Sequence, residues 1–394
     1  MKFIEGGICA VKGVRAGGIK PGKMGMAIIQ AEGNAAGVYT RNKVIAAPLV
    51  VTRENLSKTG KLSAVIANSG NANAFTGVQG LADARIMASS LASKLGVDEE
   101  LVAVASTGVV GHKLDTGWIT THLDEALDSM GEDADASMSA ARAIMTTDTV
   151  PKELAIEMDS GIRIAGIAKG SGMIEPNMGT MLAFVYTDAE IPSEILHSCL
   201  TSSVDKSFNM VVVDGDTSTN DMVLVTATGQ SGISPQTSDF QAGLDLVLTE
   251  LAKIIAIDGE GATKLIESKV TGAASEKDAR LVAKAIVRSP LVKSAIFGQD
   301  PNWGRVIVAA GYSGADMDQT KISLSFSAGT EVVELVKNGK VVKNEEEALS
   351  QLKSIMDQDE IFIITDLGLG HESATAWGCD LTYDYVRINA EYTT

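Results

Sequence analysis

The stretch AKGSGMIEPNMGTMLAFVYTDA (168–189) contains the residue types of a nucleophile that activates itself. Its glycines and Pro176 exclude a regular helix or strand, and Gly179-Thr180 leads directly into an apolar run. A hydroxyl residue preceded by one without a side chain has room to attack its own upstream carbonyl. An N-to-O acyl shift and hydrolysis would free the Thr180 amine as general base for its hydroxyl. A Gly-Thr pair also enters many strands without this chemistry, so the pattern alone leaves both interpretations open.

Three other motifs resemble known sites, and each lacks an essential residue. The segment GGIKPGKM (17–24) has the Walker A spacing, but Met24 stands where Mg²⁺ requires Ser or Thr. His371-Glu372 begins like the zinc motif HExxH, whose second His is missing. The segment DGDTSTND (214–221) starts like a calcium loop without the twelfth-position carboxylate, and we interpret it as a turn network. We therefore predict no metal and no cofactor.

Hydrophobic periodicity predicts helices that alternate with strands. The predicted helices cover 80–96, 117–145 with a break near Gly131, 192–208, 237–257, and 275–289 with a capping box at Ser275 and Asp278. The predicted strands cover 63–67, 102–106, two runs in 154–168, 181–188, 222–229, 305–311, 321–326 and 360–367. The fold class is therefore α/β or α+β, with sheets covered by amphipathic helices.

The composition excludes several classes of protein. The 394 residues are 45% hydrophobic and 21% charged, which is typical of a folded globular chain. A net charge of −17, no basic block and 4% aromatic residues argue against a nucleic-acid partner. Three widely spaced cysteines exclude a disulfide framework and favour a reducing compartment. No run is long enough to span a membrane and no signal segment is evident, so we expect a cytoplasmic protein.

Eight segments resemble motifs of the ornithine acetyltransferase family, enzymes that move an acetyl group between N-acetylornithine and glutamate in arginine biosynthesis. They are KGSGMIEPNMGTML (169–182), NSGNANAFTG (68–77), STGVVG (106–111), TTDTVPK (146–152), DGDTSTNDM (214–222), DGEGATK (258–264), FGQDPNWGR (297–305) and YVRINAEYTT (385–394). The resemblance covers the whole chain. One position departs from it, because Gly179 stands where the family usually has Ala, and this bears on the cleavage rate.

The resemblance implies a role for each matching residue. Thr180 would be the nucleophile, and cleavage between Gly179 and Thr180 would give fragments 1–179 and 180–394 that form one catalytic unit. Thr107 and Gly108 would form the oxyanion hole. The substrate contacts would be Thr146 (with Thr147 the less favoured choice), Lys169, Thr180, Glu260, Asn389 and Thr394.

The resemblance also implies a mechanism and an assembly. Acetyl would pass from N-acetylornithine to Thr180, ornithine would leave, and glutamate would accept the acetyl group. The two fragments would stay together, two pairs would form a tetramer, and the fold would be N-terminal-nucleophile-like, similar to that of the self-processing aminopeptidases. The alternative is such an aminopeptidase or amidohydrolase, which passes the acyl group from the same Thr to water. No residue in the sequence distinguishes an enzyme that also uses acetyl-CoA as donor.

Overall fold

The computed structural model describes residues 1–175, 181–342 and 345–391, and the chain divides into two compact units. Unit 1 comprises 1–209 and 216–251, and unit 2 comprises 210–215 and 252–394. The predicted cleavage point lies within the range of unit 1 but outside the described residues. The fragments 1–179 and 180–394 therefore remain a prediction.

Strands and helices alternate along much of the chain. The strands are β1 (Lys2–Ile4), β2 (Arg15–Ile19), β3 (Gly25–Tyr39), β4 (Lys61–Asn71), β5 (Val102–Val109), β6 (Lys152–Glu157), β7 (Arg163–Lys169), β8 (Leu182–Thr187), β9 (Val211–Val212), β10 (Met222–Ala227), β11 (Leu265–Ala273), β12 (Ser323–Ala328), β13 (Glu331–Lys337), β14 (Lys340–Val341), β15 (Glu360–Asp366) and β16 (Glu372–Cys379). The helices are α1 (Ala47–Thr59), α2 (Gly77–Leu95), α3 (Thr116–Asp128), α4 (Ala134–Ala143), α5 (Ser193–Lys206), α6 (Thr237–Ile257), α7 (Glu276–Arg288), α8 (Pro290–Phe297), α9 (Trp303–Gly311), α10 (Glu345–Met356) and α11 (Tyr383–Glu391).

Unit 1 is built on one mixed sheet in the order β1-β6-β7-β8-β10-β3-β4-β5, with β2 also paired to β3. Successive side chains of a strand point to opposite faces, so alternate residues enter different cores. On one face Ala27, Ile29 and Val65 pack with the alanines of α4. On the other face Ile28 and Ile66 pack with α1, α2 and α3. The sheet is therefore buried on both sides.

The strands β8 and β10 occupy the middle of this sheet. They pair in parallel with each other, β8 pairs antiparallel with β7, and β10 pairs antiparallel with β3. Every residue of both strands is buried, which explains why the sequence shows continuous apolar runs here instead of alternation.

Unit 2 contains a second sheet, in the order β14-β13-β12-β15-β11-β16-β9. Val282, Ile286 and other apolar residues of the helix α7 are buried in the interior of unit 2. Ser275 begins this helix, because its hydroxyl accepts the N–H of Asp278 at 3.1 Å and donates to the Asp278 carboxylate at 2.5 Å. The predicted start of this helix at Ser275 is thus confirmed, although Asp278 bonds the Ser275 hydroxyl where a capping box would bond its backbone N–H.

The predicted α/β class is confirmed, and α2, α3 with α4, α5, α6 and α7 lie where periodicity places helices. The strand predicted at 305–311 is wrong, because these residues lie in the helix α9. Val306, Ile307 and Val308 favour a strand by type, but Val306, Ala309 and Ala310 are buried at helical spacing while Val308 is exposed. In the part of the chain that the structure describes, no helix is long and apolar enough to cross a membrane.

Candidate active site

Lys169 is the centre of a polar cluster in unit 1. It is the last residue of β7 and is only 6% exposed. Its Nζ donates to Thr146 Oγ1 at 2.7 Å and lies 3.4 Å from Thr107 Oγ1. Four strands separate β7 from β5, which contains Thr107, so the sheet must curve strongly to bring these residues together. Three predicted site residues thus converge.

Asp148 provides a negative charge next to this cluster. Its carboxylate lies 3.8 Å from Lys169 Nζ and 2.7 Å from Lys152 Nζ, and the side chains of Asp148 and Lys152 are fully buried. It also accepts the backbone N–H of Thr146 at 3.0 Å and of Gly170 at 2.6 Å. Burial alone would raise the pKa of Asp148, but the charges of Lys169 and Lys152 outweigh it and hold that pKa well below its usual range.

Asp148 was not among the residues predicted from the sequence. The segment TTDTVPK does contain the signal, since an Asp four residues before a Lys permits an ion pair. The pair is buried, and Asp148 also bonds the backbone of Thr146, which contacts Lys169, and of Gly170, which follows it. Asp148 therefore positions two of the predicted substrate contacts.

Thr107 and Gly108 lie in the last residues of β5, which continues beyond the strand predicted at 102–106. Gly108 adopts a φ of +131°, and a Cβ there would lie 2.4 Å from the carbonyl carbon of Gly70. Only glycine permits the ends of β4 and β5 to approach this closely. Thr107 is buried, so its hydroxyl is held beside Lys169 and sheltered from bulk solvent.

Asn220 ties the end of β5 to the segment that follows β4. Its Nδ2 donates to the carbonyl of Ala72 at 2.6 Å and of Ser106 at 2.8 Å, and the residue is buried. Ser106 in turn donates its hydroxyl to Asn68 at 2.6 Å. The backbone N–H of Asn220 also donates to the Ser218 hydroxyl at 3.1 Å, a local contact that the turn-network interpretation of 214–221 predicts. Its long-range contacts beside Thr107 were not visible in the sequence.

A second group of predicted residues lies in unit 2. Asn389 Nδ2 donates to Glu260 Oε2 at 2.8 Å. The loop that contains Glu260 is anchored by Asp380, whose carboxylate accepts the N–H groups of Thr263 and Lys264 at 2.8 and 3.0 Å. The structure therefore brings Asn389, on α11, into contact with Glu260 on this anchored loop. Gly179, Thr180 and Thr394 lie outside the described residues.

The chain matches known proteins along its whole length. The ArgJ family model covers residues 10–394. A glutamate N-acetyltransferase of Methanosarcina mazei is 64% identical, with 100% of both chains covered. The arginine biosynthesis bifunctional protein ArgJ of Archaeoglobus fulgidus is 48% identical over 98% of this chain and 100% of its own. A crystal structure of the arginine biosynthesis bifunctional protein argJ from Bacillus halodurans has 47% sequence identity to this chain. The match covers 53% of this chain and 98% of that protein, with a TM-score of 0.49.

These matches show that the chain belongs to the ArgJ family, whose members act in arginine biosynthesis. The family resemblance and the enzyme class predicted from the sequence, glutamate N-acetyltransferase, are therefore confirmed. Family membership also agrees with the predicted fold class of helix-covered sheets. The individual roles of the site residues remain predictions.

Replacement of Asp148 by Asn should destabilise the protein by about 3 to 5 kcal/mol, because it removes the countercharge of buried Lys152. The pKa of Asp148 is depressed in the folded state, so its stabilising contribution is present above the unfolded pKa near 4 and is lost as pH falls. The difference in unfolding free energy between wild type and Asp148→Asn, measured by urea unfolding, should therefore shrink only below about pH 4.

The control is Glu100→Gln in the exposed pair with Lys58, which should cost less than about 1 kcal/mol. An equal loss in both variants would contradict the proposed role of burial.

Proposed function

We propose that the protein transfers acetyl from N-acetylornithine to glutamate through an acetyl-Thr180 intermediate, after cleaving itself between Gly179 and Thr180. The observation that best supports this is the pairing of β7 with β8. Lys169 is the register partner of Leu182, which follows Thr180 by two residues. Two residues of chain span at most about 7 Å. A nucleophile at Thr180 would therefore be within reach of the end of β7, where Lys169, Thr107 and Thr146 converge.

The chemistry of both half-reactions follows from these groups. The Thr180 hydroxyl attacks the acetyl carbonyl of N-acetylornithine and gives its proton to the free Thr180 amine. The developing oxyanion is stabilised by the Thr107 hydroxyl and the Gly108 N–H. The C–N bond breaks, and the leaving ornithine amine takes the proton. The glutamate amine then attacks the acetyl ester, and the Thr180 oxygen recovers its proton as it leaves.

Buried positive charge supports the recognition of amino-acid substrates. Both substrates have an α-carboxylate, and Lys169 is a nearly buried ammonium held in place by Asp148 and Thr146. We assign Lys169 and Thr146 to that carboxylate or to the acylated centre. Glu260, oriented by Asn389, is suited to the positive side-chain amine of ornithine. Thr394 completes the substrate contacts in this proposal.

The sheet of unit 1 supports an enzyme whose fragments stay together after cleavage. The fragment 180–394 would contribute β8 and β10, which are flanked by β7 and β3 of the fragment 1–179. Backbone hydrogen bonds on both edges would hold the two central strands. The tetramer of two such pairs rests on the family resemblance. The three free cysteines agree with a reducing cytoplasm.

A hydrolase with the same nucleophile is the rival proposal. It would release acetate from N-acetylornithine in the absence of glutamate, whereas a transferase should accumulate acetyl-enzyme and release ornithine in a burst. Mass spectrometry of the fragment that begins at Thr180 would detect the acetyl group. The same assay with acetyl-CoA in place of N-acetylornithine would show whether the enzyme has a second donor.

Purified protein should consist of two fragments, with Thr180 as a new amino terminus, and the Thr180→Ala variant should remain one inactive chain. The reason is that one hydroxyl performs both cleavage and transfer. Intact mass, terminal sequencing and a glutamate acetylation assay measure the three properties. A fully active preparation that remains a single 394-residue chain would refute self-processing.

The variant Thr107→Ala should lower kcat by about 10² to 10³ while leaving the folded structure intact, because one oxyanion donor is lost and the Gly108 N–H remains. Steady-state kinetics on processed protein measure this effect. Thr201→Ala is the control, since the Thr201 hydroxyl bonds only within an exposed part of α5 and its loss should not change kcat. Unchanged turnover in Thr107→Ala would show that Thr107 is not an oxyanion donor.

The variant Glu260→Gln should raise KM for N-acetylornithine by about tenfold, because a charged contact to the amine becomes a neutral one. Asn389→Ala should have a smaller effect in the same direction, since it only releases one Glu260 oxygen. Self-cleavage should remain complete in both variants. Glu331→Gln, at an exposed side chain bonded to Ser354, is the control. A KM equal to that of wild type would remove Glu260 from the substrate contacts.

A further inference from the structure

Lys20 is a charged residue close to the candidate site that no step above uses. It directly follows β2, in the segment GGIKPGKM (17–24), and the residue as a whole is exposed. Its Nζ nevertheless donates to the carbonyl of Met145 at 2.5 Å and to the hydroxyl of Ser69, a fully buried residue, at 3.0 Å. Met145 directly precedes Thr146, so Lys20 bonds the main chain next to a predicted substrate contact.

The contacts of Lys20 lie where the chain leaves α4. Carbonyls at the end of a helix have no intrahelical N–H partner, and side chains commonly satisfy them. Here the Ser69 hydroxyl donates to the carbonyl of Ala143 at 2.7 Å, and Lys20 donates to that of Met145. A positive charge is also favourable here, because the C-terminal end of a helix dipole is negative. Lys20 and Ser69 together therefore fix the chain that follows α4.

Two glycines allow the hairpin of β2 and β3 to approach α4 this closely. A Cβ at Gly18, in β2, would lie 2.6 Å from the Cβ of Ala143. A Cβ at Gly25, the first residue of β3, would overlap the carbonyl oxygen of the same alanine. Neither position has room for a side chain. The segment 17–24, which lacks the hydroxyl residue of a nucleotide-binding loop, thus has a packing role that places Lys20 beside the end of α4.

The bond from Lys20 fixes one peptide group from a second side. The peptide between Met145 and Thr146 accepts from Lys20 Nζ through its oxygen. Its N–H donates to Asp148 Oδ2 at 3.0 Å. Because a peptide unit is planar, bonds to its oxygen and to its N–H together determine its orientation. The Thr146 side chain that follows accepts from Lys169 Nζ at 2.7 Å, so this orientation sets where the hydroxyl and the ammonium meet.

We propose that Lys20 is a positioning residue for substrate binding, whose bond to the Met145 carbonyl presents the Thr146 hydroxyl to the α-carboxylate that both substrates share. This inference rests on the proposed function, in which Thr146 and Lys169 contact the substrate. Lys20 takes no part in bond making or breaking, so its loss should weaken substrate binding more than turnover. An effect that reaches the substrate through Thr146 must also disappear when the Thr146 hydroxyl is absent.

The test measures steady-state kinetics of Lys20→Met in the full chain, since Met keeps most of the aliphatic stem and loses the ammonium. KM for N-acetylornithine and for glutamate should each rise about fivefold, because one hydrogen bond that orders Thr146 is lost, while kcat changes less than about twofold. The exposed position of Lys20 should leave the unfolding temperature nearly unchanged. Lys20→Ala gives the same readout if Lys20→Met does not fold. A loss confined to kcat would overturn the inference.

Lys23→Met is the matched control, because it makes the same substitution in the same turn. Lys23 is exposed, and within the described residues its side chain makes no hydrogen bond or ion pair. Both variants lose one positive charge, so a general loss of attraction for substrate carboxylates would raise KM equally in both. We expect Lys23→Met to have the KM of wild type. A rise as large as that in Lys20→Met would overturn the positioning role.

A double-variant cycle with Thr146→Ala decides whether Lys20 acts through Thr146. If it does, Thr146→Ala and the double variant should have the same KM within about twofold, since the hydroxyl that Lys20 positions is already absent. If the two effects multiply instead, Lys20 acts independently, as it would by touching the substrate itself, and the inference is overturned.

The single variants separate this inference from the proposed function. A raised KM in Thr146→Ala together with an unchanged KM in Lys20→Met would overturn the inference alone. An unchanged KM in Thr146→Ala would remove Thr146 from the substrate contacts of the proposed function, and the inference would fail with that assignment.

Discussion

The antiparallel pairing of β7 with β8 is the interaction on which the site of unit 1 depends. It sets Lys169 opposite Leu182 and so returns the chain to the place where β7 ended. The connecting segment must begin and end within the same patch of buried polar groups. Curvature of the sheet then brings the end of β5, with Thr107, to this patch.

In this patch, buried groups of opposite charge partly neutralise each other. One carboxylate, Asp148, lies close to the ammonium groups of both Lys152 and Lys169. The arrangement leaves net positive charge where substrate carboxylates and an oxyanion would lie. Asn220 connects two parts of this region, since it bonds both the carbonyl of Ser106, next to Thr107, and the carbonyl of Ala72, after β4.

Features determined by local chemistry were predictable, and features determined by long-range packing were not. Lys169 at a strand end and the cap at Ser275 follow from short patterns. The helix α9 was missed because its branched side chains favour a strand until tertiary packing buries one helical face. Asn220 was read as a turn residue, but its partner Ser106 lies 114 positions away, and no sequence window contains that contact.

The interleaving of β8 and β10 between β7 and β3 also determines how the protein would respond to denaturation. An uncut chain refolds as one molecule, at a rate independent of its concentration. After a cut at Gly179-Thr180, the central strands and their neighbours would belong to different molecules, so refolding would become second order and would fail on dilution. The lifetime of the folded, cleaved enzyme would then depend on the height of its unfolding barrier, because the equilibrium between folded and unfolded states would no longer be reversible. Processing would thus convert a thermodynamically stable protein into a kinetically stable one.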